Sequence, residues 1–132
     1  MSKNIRQVNT YLLIGCGGMI GATLRYTLSF LLPVTYGFPV ATFTANIIGC
    51  FLLGFIFHLE TLRKRISPQV FTAITVGIIG SFTTFSAFSM EAVQLWKTDS
   101  LLALIYVLSS VFLGIFVCWL GYKCALRRKI RI

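Results

Sequence analysis

The chain contains four apolar stretches, at about 11–32, 39–59, 69–95 and 101–126, each long enough to cross a lipid bilayer. The hydrocarbon core of a membrane takes roughly 20 residues of helix. A backbone inside it must satisfy its own hydrogen bonds, which makes helices the form for such stretches. Only short connections remain, so no soluble domain fits. Charged residues make up 11% of the chain and hydrophobic ones 57%, against about 25% charged in a soluble domain. Mean hydropathy is +0.86. A water-soluble fold of this composition would lack the polar side chains to cover its surface. The first stretch is too long for the apolar part of a signal peptide, and no small-residue cleavage site follows it. The expectation is an all-α membrane protein, a single transmembrane domain over 1–132 with four transmembrane helices. Pro33 stops the first, 34–38 form a loop, 60–68 form a polar connection, and Lys97, Thr98 and Asp99 make the last turn. Trp96 and Trp119 suit the membrane interfaces, and Trp119 equally suits a packed position inside the bundle. Four helices fill their own centre and leave little room for a water-filled path, so a partner subunit is expected.

Charge sets the expected orientation. The membrane face richer in Lys and Arg stays cytoplasmic. Lys3, Arg6, Arg63, Lys64, Arg65, Lys123, Arg127, Arg128, Lys129 and Arg131 all fall on one side of a four-span arrangement, ten in all, against Lys97 alone on the other. Both termini are therefore expected in the cytoplasm, in a multi-pass protein of the plasma or inner membrane. The formal charge of +9 reads as a topology signal with contacts to anionic lipid, not as a nucleic-acid surface.

Catalytic chemistry finds little support. Glu60, Glu91 and Asp99 are the only acids, and no Ser-His-Asp set or phosphate loop is present. Cys16, Cys50, Cys118 and Cys124 lack metal-ligand spacing and read as small apolar residues. His58 reads as an interfacial histidine at the end of the second span. Several positions are more than filler. Gly17 and Gly21 share a helix face and suit a close helix crossing. Arg25 lies within the first span, where a guanidinium either faces a partner or water or snorkels to the interface. Thr42 and Asn46 share a face of the second span, with Gly49 after them. Asn46 needs a polar partner in hydrocarbon, either on another helix or along a polar path. In the third span, Gly77, Gly80, Ser81, Thr83, Thr84 and Ser86 weaken a helix. A break there is tolerated where it is buried in protein or lines a cavity, and freed carbonyls can ligate a cation. Phe85 and Phe88 are roughly aligned. They serve either as core packing or as ring edges, which are electropositive, turned towards an anion. Tyr106, Ser110 and Gly114 follow one face of the fourth span, as interhelical bonds or as a track of hydroxyl donors.

Taken together, these stretches resemble the Fluc/CrcB family of fluoride channels over nearly the whole chain. The resemblance rests on Gly-Gly-x-x-Gly-Ala-x-x-Arg-Tyr at 17–26, Thr42 with Asn46-x-x-Gly49, and Gly-Ser-Phe-Thr-Thr-Phe-Ser-Ala-Phe at 80–88. It implies an antiparallel dimer with two pores selective for fluoride over chloride, built from subunits whose third helix is broken mid-membrane. It implies a fluoride pathway of Asn46, Phe85, Phe88, Ser86, Tyr106, Ser110 and Thr42. Arg25 near the aqueous vestibule and Glu91 match family positions. It also implies a structural sodium ion (Na+) at the dimer interface, held by backbone carbonyls of Gly80 and Thr83 from each subunit. Two departures stand out: Ala87 replaces a usual threonine, and Gly114 stands where the track can carry another hydroxyl.

An antiparallel homodimer needs a subunit that inserts both ways, with almost no charge bias. The ten-to-one bias points instead to a homologous partner of opposite bias, a heterodimer. Two rival readings are a small multidrug-type proton-coupled antiporter and a non-transporting membrane assembly subunit. The first needs a titratable carboxylate in the first span, which has none. The second leaves the polar stretch of the third span unexplained.

Overall fold

Apolar runs without an internal proline become long helices. The computed structural model describes residues 2–32 and 37–130, with side chains for 7–32 and 37–127, and contains no strand among them. Helix α1 is Ser2–Leu31 and α2 is Val40–His58, entered through Gly37 at φ 81, in the left-handed region that favours glycine. The connection after α2 folds into a short helix, α3, Glu60–Arg65. The chain then rises through α4, Pro68–Thr72, a π-helical stretch, Ala73–Ile79, and α5, Gly80–Phe82. Two extended residues, Thr83 and Thr84, interrupt it before α6, Phe85–Thr98. Helix α7, Ser100–Ile130, completes the fold. The stop expected at Pro33, loop residues 34–36, and the side chains of Lys3, Arg6, Arg128, Lys129 and Arg131 lie outside the described residues.

Val40–His58, Pro68–Thr98 and Ser100–Arg127 are each long and apolar enough to cross a membrane. Helix α1 has the length, but Arg25 and its small polar residues reduce its hydropathy. The bounds differ from the sequence expectation mainly at the ends. Helix α1 starts well before residue 11, and α7 continues past 126 because the basic residues there are good helix formers. Ser67 caps α4, its hydroxyl accepting from the Val70 amide at 3.4 Å, with Pro68 in the first turn.

Helix pairing follows the glycines. A Cβ on Gly17 would stand 2.6 Å from the Ala73 carbonyl oxygen, and one on Gly77 would stand 2.7 Å from that of Ile14. The two glycines face each other, so α1 lies backbone to backbone on the π-helical stretch. Gly21 meets Ile78 and Phe82 one turn further on, so the two elements run parallel. Helices α2 and α7 also run parallel: Cys50 faces Gly114, and Gly54 faces Cys118. Leu95, Ala103 and Tyr106 form a small core between α6 and α7, with Phe38, Phe43 and Phe88 against it, and these two helices are antiparallel. The start of α1 and the end of α7 consequently lie at the same end of the bundle. Large apolar side chains point outward, Phe30 and Phe85 at 81% and 80% exposure, as suits a protein whose surroundings are hydrocarbon.

Candidate functional site

The break between α5 and α6 organises the site. At the end of α5, Thr83 turns extended, and the Thr84 amide donates to Asn46 Oδ1 at 2.9 Å while Asn46 Nδ2 donates back to the Thr84 carbonyl at 3.1 Å. One amide side chain of α2 thus replaces the backbone pairing lost at the break. The Thr84 hydroxyl then caps α6, accepting from the Ala87 amide at 3.2 Å, and lies 3.2 Å from the Ser86 hydroxyl.

This exchange frees carbonyls. In an unbroken helix the Thr84 amide would serve Gly80 and the Ala87 amide would serve Thr83. Both amides are diverted, so Gly80 and Thr83 lose their helical donors. The Gly80 carbonyl keeps a 3.4 Å bond from the Thr83 hydroxyl. The Ser81 carbonyl, also released, accepts from Arg25 Nε at 3.3 Å. Arg25 thereby ties α1 to the break.

A cavity of about 320 Å³ opens beside the break, lined by Asn46, Cys50, Leu53, Thr83, Thr84, Phe85, Phe88, Ser110 and Val111. Phe85 and Phe88 stand 5.9 Å apart, and Phe88 is 5.2 Å from the Tyr106 ring. The amino end of α6 opens into this cavity. The positive end of its dipole favours an anion, although the Ala87 amide is already taken by the Thr84 hydroxyl. No acidic side chain lines the cavity. Close approach is built in at Gly49, where any side chain would collide with Thr83.

Next to the cavity, Glu91 joins three helices. It accepts from the Thr42 hydroxyl at 2.7 Å and from the Tyr106 hydroxyl at 2.8 Å. Tyr106 is fully buried, its ring edge-on to Phe38. The Ser110 hydroxyl donates to the Tyr106 carbonyl of its own helix at 2.6 Å. Both hydroxyls of the fourth-helix face therefore already have acceptors, and Gly114 next along that face is buried without a hydroxyl.

The structure brings Asn46, Phe85, Phe88 and Ser110 into one cavity and holds Thr42 and Tyr106 beside it on Glu91. Ser86 is exposed and lies outside the lining, in contact with the Thr84 hydroxyl, and Arg25 lies on the α1 side of the break. Sequence reasoning missed Thr84 as the partner of Asn46, Glu91 as a shared acceptor, and Cys50 as a lining residue. The spacing of Thr42, Asn46 and Cys50, four apart on one face, signalled the last. The first two join residues 38 and 49 positions apart and carry no local signal.

Residues 12–122 match the family model described as CrcB-like protein, Camphor Resistance (CrcB). A protein of Staphylococcus saprophyticus named fluoride-specific ion channel FluC 2 is 44% identical over 114 residues, 86% of this chain and 93% of its own length. One from Oceanobacillus iheyensis, named fluoride-specific ion channel FluC, is 41% identical over 119 residues, 89% and 92% of the two chains. One of the same name from Methanopyrus kandleri is 41% identical over 102 residues, 77% and 78%.

Proposed function

The chain belongs to the CrcB-like family, and from that premise we infer that it is a subunit of a fluoride-selective ion channel, a passive pore and not an enzyme. In a cell its role is to let fluoride leave the cytoplasm and so relieve fluoride toxicity. The observation that carries the reading is the cavity in which the amino end of α6, the two phenylalanine rings and Asn46 meet with no acid among them. A small anion there loses water and gains ring edges and amides. Fluoride, compact and strongly hydrogen-bonding, gains most from such close contact.

The proposed path runs past Asn46, Phe85, Phe88 and Ser110, with Thr42, Tyr106 and Glu91 beside it and Ser86 next to the Thr84 hydroxyl. Because the Tyr106 and Ser110 protons are engaged, an ion passing there must compete with Glu91 and the Tyr106 carbonyl. Helix α1 has the length for a fourth crossing. That count, with parallel α1 and third crossing and parallel α2 and α7, supports both termini on one face, cytoplasmic by the charge rule.

The assembly we propose is a dimer of oppositely oriented subunits with a sodium ion at its centre. The chemistry of the break fits such an ion. A hard cation takes oxygen ligands, six or more for calcium-sized ions, and the Gly80 and Thr83 carbonyls have lost their helical donors. Two carbonyls per chain are too few; a second copy or homologue brings them to four and leaves further ligand positions to water. Sodium bound there would neutralise carbonyl dipoles and hold the two breaks together.

Fluoride efflux from liposomes tests the reading. The wild-type chain, reconstituted alone and with a candidate homologous partner, is expected to pass fluoride and exclude chloride. Phe85→Ile, which keeps an apolar side chain but removes the ring edge, is expected to abolish flux. Intact flux in Phe85→Ile, Phe88→Ile and Asn46→Asp would remove the proposed path.

A further inference from the structure

Two thiols sit in the seam between α2 and α7, outside the set of residues assigned to fluoride. Cys50 Sγ lies 3.4 Å from the position a Cβ on Gly114 would take, and Cys118 Sγ lies 3.1 Å from that of Gly54. Each sulfur thus reaches across to a bare stretch of the facing helix. Cys50 and Gly54 are one turn apart on α2, as are Gly114 and Cys118 on α7. The helices run parallel, so the sulfurs occupy adjacent levels of one seam, about 6 Å apart along it from the rise of four residues. Neither forms a disulfide, and both are partly buried. Cys50 also lines the cavity beside Asn46 and Ser110.

We propose that Cys50 and Cys118 form a two-thiolate site for a soft, linearly coordinated cation such as Cu+ or Hg2+, and that the bound ion obstructs the cavity. Thiolates select soft metals over hard ones. Among the described residues no third His, Cys, Asp or Glu is placed to complete a higher coordination number, which favours an ion content with two ligands. At Gly114 the Cys50 sulfur is the one described atom near the Cβ position, which leaves Cys50 room to turn, whereas at Gly54 the α7 backbone at Cys118 itself packs close. Binding of Hg2+ breaks two S–H bonds and forms two Hg–S bonds. The two protons go to solvent and no electron is transferred. The obstruction part rests on the fluoride-channel reading, whereas the binding part does not.

The experiment uses the full chain carrying Cys16→Ser and Cys124→Ser, which removes the two exposed thiols. Mercuric ion is titrated, and bound metal, thiolate-to-metal absorption and X-ray absorption at mercury are recorded. One ion per chain with two sulfur neighbours is expected. Adding Cys50→Ser or Cys118→Ser should each weaken binding by about 100-fold or more, since the second ligand acts at high effective concentration. Unchanged affinity in either variant, or one ion per two chains, overturns the site. In liposomes, one bound ion per chain should stop fluoride flux, and undiminished flux at full occupancy overturns the obstruction. A chain that binds mercury in this way but passes no fluoride before its addition, with or without a partner, counts against the channel reading and leaves the metal site standing.

Discussion

Asn46 shows how one side chain can set the backbone of another helix. Its two bonds to Thr84 do in the bilayer what water would do at an exposed helix end. They also release Gly80, whose carbonyl would otherwise take the Thr84 amide. Asn46→Leu removes both bonds and leaves a partly buried amide and carbonyl unpaired, at up to about 1–3 kcal/mol for such a group. The expected result is a lower melting temperature in detergent. Asn46→Asp keeps the acceptor for the Thr84 amide and loses only the donor, so it should melt between wild type and Asn46→Leu. Its negative charge would nevertheless stop fluoride efflux. If Asn46→Leu melts with the wild type, the break is held by something else. That Asn46 required a polar partner was legible from its place in an apolar span. Which partner was not, because Thr84 becomes available only once the third crossing has already broken. Glu91 was equally opaque in sequence, a lone acid whose partners come from two other helices.

Helix pairing is where the glycines act, and they sort into those that touch and those that do not. Gly21 packs against the Ile78 carbonyl so closely that a Cβ cannot be accommodated, while Gly15 on the same helix has nothing near the position of its Cβ. Gly21→Ala should therefore force α1 away from the π-helical stretch and destabilise by about 1–3 kcal/mol, as overpacking does. Gly15→Ala should be neutral or stabilising through helix propensity, by up to about 1 kcal/mol. Thermal unfolding of the two variants side by side checks this. Equal melting temperatures would mean that the α1 seam contributes nothing to stability. The close-packing face 17–21 was readable from spacing alone. The π-helical stretch it packs on was not. Ala73–Ile79 holds five β-branched residues, one alanine and one glycine, and nothing in that local composition marks a wider turn. The extra residue per turn changes the direction in which the following residues point, and these include Gly80 and the break itself. The break was expected around 80–84 from the run of glycine, serine and threonine, and the extended residues are Thr83 and Thr84. The short helix α3 went unread because six residues of mixed charge carry no apolar periodicity.

At the scale of the molecule, the fold and the charge pull the proposed assembly in one direction. Parallel α1 and π-helical stretch, with parallel α2 and α7, bring the start of α1 and the end of α7 to the same end of the bundle. Arg63, Lys64 and Arg65 at the α3 connection reside at that end too, since α2 returns to it. Moving such a basic cluster across a membrane is resisted, so the chain should insert in one orientation. A dimer of opposed subunits then requires a second polypeptide with the reverse bias, because copies of this chain would all face the same way. Labelling decides between the two. With the four native cysteines replaced by serine, a single cysteine introduced at Lys64→Cys is exposed to an impermeant maleimide on intact cells and on inverted vesicles. Labelling from the cytoplasmic face alone is the expected result, with a complementary probe at Lys97→Cys labelled from the outside alone. Equal labelling of Lys64→Cys from both faces would mean dual insertion, and a homodimer would then suffice. If labelling is one-sided, fluoride flux from the purified chain alone should be small, and co-reconstitution with an oppositely biased homologue should restore it. In the proposed assembly the pairing would matter chemically as well as topologically, since the Gly80 and Thr83 carbonyls of one chain would face those of its partner across the proposed cation.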